Sequence, residues 1–212
     1  MKVEEVFFRD MYHQICLLID ADLARKFYDL LEMPEGEFPD GLLTYGYIDE
    51  DAGFTFSIMG GAQTVDGRLK IFPINYKEAA LVRRGATNSA EVKILADDYA
   101  LAFRDRIEMI NDVYAVDDAR EQTRFIKNLD AFRHPNYPDD VVVYFFSEED
   151  KPELMWVRCL KVDENILTGE LLNEPTKNFG CHAGDKIKFG LAQIGEKNIL
   201  LYLPAAEVNS LA

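Results

Sequence analysis

The sequence is short of positive charge. Its 212 residues hold 23 Lys+Arg against 38 Asp+Glu, a formal net charge of −15. A field of that sign repels phosphate backbones and anionic bilayers, so nucleic acid and membrane are excluded as default partners. The same field disperses a soluble chain and complements a basic protein. Cysteine is scarce. Cys16, Cys159 and Cys181 are odd in number, form no C-x-x-C pair and lie in or near apolar runs. That usage argues against a disulfide framework and fits free thiols in a reducing compartment.

Long hydrophobic runs are also lacking. The longest, Val141 to Phe146, falls far short of the ~20 residues that cross a bilayer. The N-terminus carries acids where a secretory signal needs basic and then apolar residues, and no lipidation signal ends the chain. A cytoplasmic location is expected. Familiar chemical motifs are missing as well. There is no G-x-x-x-x-G-K-[ST] phosphate loop, no H-E-x-x-H and no other paired-His spacing. No cofactor, no metal site and no catalytic constellation is therefore expected.

What is present is ample core material. Hydrophobic residues make up 48%, and 14 Phe with 10 Tyr favour sheet-rich packing. The length suits one large domain or two small ones. His13 to Ile19 reads as a short buried strand. Asp20-Ala21-Asp22 then caps a helix running to about Met33, ended by Pro34 and Gly36. Leu42–Ile48 and Gly53–Met59 alternate as a hairpin, and Arg68–Ile74 follows the Asp66-Gly67 turn, with Pro73 marking an edge. The spacing of Val92, Leu95, Tyr99, Phe103, Ile107 and Ile110 predicts a long amphipathic helix over Ser89 to Asn111. A shorter helix is expected from Asp117 to Leu129.

Composition shifts at Phe132-Arg133-His134-Pro135-Asn136-Tyr137-Pro138-Asp139-Asp140, where two prolines favour irregular chain. Five strand-like runs follow: Val141–Phe146, Leu154–Lys161, Ile166–Leu172, Lys186–Ala192 and Ile199–Leu203. The expected architecture is therefore α+β. An N-terminal mixed α/β domain with the long amphipathic helix (1–131) leads through a linker (132–140) to a small five-stranded β-barrel-like or curled-sheet domain (141–212). Trp156 is expected in the barrel core.

Three places could carry chemistry. Arg83 and Arg84, with Asn88 and Ser89 at the start of the expected long helix, have the makings of an anion pocket. His134, beside Arg133, Asp139 and Asp140, is too poor in ligands for a metal and is expected to order the linker by bonding backbone. The crossing from Gly169 to Phe189 gathers Glu174, Cys181 and His182, a carboxylate, a thiol and an imidazole. Adjacent residues of extended chain point to opposite sides, so Cys181 and His182 are poorly placed to cooperate. Pro175, Gly180 and Gly184 mark that crossing as a shaped turn.

The runs Phe132 to Val141 (F-R-H-P-N-Y-P-D-D-V), Glu153 to Arg158 (E-L-M-W-V-R) and L-L-N-E-P-T-K-N-F-G-C-H-A-G-D-K-I after them resemble a group of bacterial proteins carrying a small β-rich domain of unknown function. The resemblance implies a fold and a bacterial origin, and no reaction. Some bacterial domains of this size serve as toxin-immunity proteins, an analogy that implies protein binding. The leading expectation is a non-enzymatic cytosolic protein that binds a basic protein, immunity-like. The alternative is a small-molecule or anion-binding protein, or an enzyme, with its site at the Arg83–Ser89 helix entrance or an interdomain cleft and His134 or His182 as acid or base. The oligomeric state is not legible.

Overall fold

The computed structural model describes residues 1–74, 80–147 and 150–204, in which helix and strand are mixed. By contacts the chain divides into Met1–Ala115 and Val116–Ala212. The expected 132–140 segment therefore lies within the second unit.

The first unit is built on an antiparallel sheet. Its strands are β1 (Ile15–Ile19), β2 (Gly41–Asp49), β3 (Gly53–Val65), β4 (Arg68–Pro73), β5 (Leu81–Arg83) and β6 (Glu91–Ile94). They lie in the order β4-β3-β2-β1-β6, with β5 also pairing β3. Pro73 sits on edge strand β4, where a missing N–H leaves no gap in a ladder. The β2 run from Gly41 to Ile48 is buried throughout, because helices and loops cover both faces of the sheet.

On one face, Cys16, Leu18, Leu42, Phe56 and Val92 meet Val3, Phe8, Met11 and Leu23. These come from the N-terminal 3-10 turn, α1 (Phe8–Met11) and α2 (Ala21–Arg25). Asp20 caps α2 as its sequence predicts, accepting the Leu23 N–H at 2.9 Å. The helix stops at Arg25, short of the expected Met33, and a 3-10 turn over Tyr28–Leu30 follows.

The other face overturns the largest expectation. The long amphipathic helix from Ser89 to Asn111 does not form. Glu91–Ile94 is strand β6, paired with β1 as Val92↔Leu18. Helix begins only at α3 (Asp98–Leu101) and resumes in α4 (Arg104–Val113). The apolar stripe Leu95–Tyr99–Phe103–Ile107–Ile110 does exist, and it packs on Ile15, Leu43, Tyr45 and Met59. Val92 belongs to the opposite core. Its helical spacing is accidental, and strand pairing outweighs local periodicity, because β1 would otherwise present an open edge.

The second unit begins with α5 (Asp118–Arg124), whose cap Asp117 accepts the Arg120 N–H at 2.8 Å, and a 3-10 turn over Lys127–Phe132. Strands β7 (Asp140–Ser147), β8 (Asp150–Asp163), β9 (Ile166–Leu171), β10 (Lys186–Ile194) and β11 (Lys197–Leu203) close a barrel in the order β10-β11-β7-β8-β9. All five correspond to the strand-like runs of the sequence. Val143, Phe145, Val157, Leu171 and Phe189 fill the interior, and Leu129 joins them from the preceding turn. Gly169 makes room for them: a Cβ there would stand 2.5 Å from Val157 Cγ1 and 3.0 Å from Phe189 Cε1.

Buried charge ties α5 to the barrel. Arg124 is 1% exposed and grips Asp139 bidentately, Nε to Oδ1 at 2.9 Å and Nη2 to Oδ2 at 2.8 Å. Its third arm reaches Glu121 at 3.0 Å. Asp140 pairs with Arg158 on β8 at 2.9 Å.

Candidate functional site

Strand alternation decides what the barrel shows outside. On β7, Val141, Val143 and Phe145 point inward, and on β8 so do Met155, Val157 and Cys159. The residues between them therefore point outward: Val142, Tyr144 and Phe146 on β7, Leu154 and Trp156 on β8. The register places Tyr144 opposite Leu154 and Val142 opposite Trp156, so these side chains form one contiguous apolar strip. Phe146, Leu154 and Trp156 are 44%, 53% and 36% exposed. Tyr144 and Phe146 stack with centroids 6.3 Å apart.

Trp156 is thus not the barrel core residue the sequence reading expects. Its two neighbours, Met155 and Val157, take the inward positions. The alternation of Met155, Val157 and Cys159 was the available signal, and the size of the indole obscured it.

The Gly169–Phe189 crossing borders this strip. Asn173 Oδ1 accepts the N–H of Trp156 at 2.8 Å, next to the last backbone bond, Leu172 N–H to Trp156 O at 2.9 Å. Glu174 follows directly. Its Oε1 lies 2.7 Å from His182 Nδ1, and its Oε2 accepts the Ala183 N–H at 2.8 Å. Asp185 Oδ2 accepts the His182 N–H at 2.8 Å. Gly180 (φ 73°) and Gly184 (φ 88°) take the left-handed conformations that the turn requires. Glu153 is tied down by the N–H and hydroxyl of Thr176 at 2.8 and 2.6 Å, which lowers its pKa.

Of the expected polar cluster, Glu174 and His182 meet, and both are exposed. The Glu174 carboxylate raises the pKa of His182. Glu174 itself is lowered, first by the Ala183 N–H and then by His182. Cys181 turns the other way, 7% exposed, into the barrel core beside Tyr202. Burial raises its pKa and pushes that of Tyr202 up to about 12. The thiol and imidazole therefore lie on opposite sides of the chain. His134 is spent on structure. Its Nδ1 accepts the N–H groups of Asn136 and Tyr137, both at 3.2 Å, and its ring makes a T-shaped pair with Trp156, centroids 5.2 Å apart.

Arg83 and Arg84 do not frame a helix entrance. Residues Arg84–Ala86 form a 3-10 turn that leads through Asn88 and Ser89 into β6. Arg83 binds Asp49 at 3.0 Å and the Thr55 hydroxyl. Arg84 is 7% exposed and donates to the carbonyls of Val3 (3.2 Å) and Val6 (2.7 Å), clamping the N-terminal turn to the sheet. Burial lowers its pKa. Asn88 offers its backbone carbonyl to the Glu4 N–H at 3.4 Å. Among the described residues, no three His, Cys, Asp or Glu side chains gather as a metal site, and no helix is long and apolar enough to cross a membrane.

Comparison with protein-family models, curated proteins and solved structures gives no match.

Proposed function

We propose that this is a non-catalytic binding protein that captures a cationic protein on the outer strip of β7 and β8. One observation carries the reading. A filled barrel turns Trp156, Leu154 and Phe146 into water although its interior already has a complete core. Exposing such a strip is unfavourable unless a partner covers it. Tryptophan is also among the residues that dominate binding energy at protein interfaces.

Charge narrows the partner. The net charge of −15 attracts basic proteins over a distance and speeds their encounter. Locally, Glu174 follows the asparagine that holds Trp156. Thiolate chemistry is not part of this reading. Burial pushes Cys16 and Cys159 up to about 12, far from the thiolate form that a nucleophile needs. An immunity-like role, in which a basic toxin is masked, is the sharpest form of this reading.

The test is affinity capture on the immobilised chain, run in parallel with a Leu154→Asp variant. The expected result is a basic protein that binds wild type, elutes as salt rises and is lost from the variant. Partners that ignore both salt and Leu154→Asp would sink the proposal.

A further inference from the structure

The first unit holds a separate candidate site around His13. His13 has φ 56°, in the left-handed region, in the turn that follows Tyr12, the extended cap of α1. Glycine takes this conformation most readily, because it has no Cβ to clash. An imidazole at that position is held at a cost in backbone strain. The backbone around it is well fixed. His13 N–H donates to Gly46 O at 2.8 Å, and Gly46 N–H donates to Gln14 O at 3.1 Å. Gly46 permits this close crossing, since a Cβ there would stand 2.2 Å from Met11 O.

The crossing opens on a cavity of about 260 Å³. Its polar lining is His13, Gln14, Tyr45, Asp97 and Asn111. Ile15, Leu95 and Ile107 supply apolar wall. The rings make a stack. His13 lies on Tyr12 with centroids 3.9 Å apart, and is nearly parallel to Tyr45, 7° off at 6.0 Å. The Tyr45 hydroxyl donates to Asn111 Oδ1 at 2.8 Å. That bond orients the Asn111 amide, so that Nδ2 remains as a donor and Tyr45 Oη as an acceptor.

We infer that this cavity binds a small flat nitrogen heterocycle of nucleobase size, neutral or cationic. His13 and Tyr45 give the cavity an aromatic wall for a flat ring to pack on. Two side-chain amides and a phenol offer both donors and acceptors to ring nitrogens and exocyclic amines. Asp97 favours an amino group and opposes an anion. At about 260 Å³ the cavity is smaller than a drug-sized pocket, which limits the ligand to one or two small rings.

The full-length protein is titrated by calorimetry with adenine and with cytosine, and with benzoate as a flat anionic control. Saturable one-to-one binding of at least one base is expected, with benzoate at least about tenfold weaker. Asn111→Ala is expected to weaken the base about tenfold. His13→Gly is expected to weaken it too, because the imidazole wall of the cavity is lost. The inference is overturned if neither base saturates at millimolar concentration, if benzoate binds as well, or if both variants bind like wild type.

Discussion

Asn173 Oδ1 takes the backbone N–H of Trp156 at 2.8 Å. The bond stands where the β8–β9 ladder ends, so a side chain replaces the next strand carbonyl. It lets the chain leave the barrel toward Pro175 while the strand beneath the indole stays bonded. Replacing Asn173 by Ala is expected to cost about 1 kcal/mol in denaturant unfolding and to alter Trp156 emission. Asn173→Asp keeps the acceptor and is expected to cost less.

Arg124 and Asp139 are the deepest ion pair described, 1% and 6% exposed at their side chains. Removing one partner leaves the other charge buried. Arg124→Ala is expected to lose about 3–5 kcal/mol of stability. The double variant Arg124→Met, Asp139→Leu is expected to recover a large part of it. Urea melts of the three proteins check this, and a double variant no better than the single one contradicts it.

The loop pair Glu174–His182 predicts a pH window. His182 is raised from its ordinary 6.5, so its contribution is complete below 6.5 and fades as pH rises through the raised value. Glu174 is lowered from 4.5, so its contribution is complete above 4.5 and fades as pH falls through the lowered value. The loop is therefore best held between 4.5 and 6.5. NMR titration of the His182 ring should give a midpoint above 6.5, and Glu174→Gln should bring it down.

All three cysteines are free and buried. Native protein is expected to resist a disulfide reagent at neutral pH, and denatured protein to release three thiols' worth of colour. Rapid reaction of one thiol in the native state would contradict the inward placement of Cys181.

The barrel was legible because its signals are local. Each strand run has Asp, Asn or Pro at or near an end, and its inward residues alternate with polar or half-exposed ones. The Ser89–Asn111 stretch was misread because two signals overlap there. Tyr99, Ile107 and Ile110 do lie on helices and pack on the sheet, while Val92 only falls into step with them and is claimed by β1, far away in sequence. The arginines failed with that helix. With no helix start beside them, Arg83 and Arg84 turn to Asp49 and to the N-terminal carbonyls. The cavity beside His13 was invisible for the same reason. Residues 13, 45, 97 and 111 meet only once the sheet is formed and α4 lies on it.

Trp156 is the chain's one tryptophan, so its fluorescence reports on the proposed binding strip without labelling. The most direct measurement is its emission as a captured basic partner is added at low and then high salt. The account predicts a blue shift on binding, reversed by salt and missing in Leu154→Asp. A partner that binds with the emission unchanged would place the interface elsewhere and contradict the account.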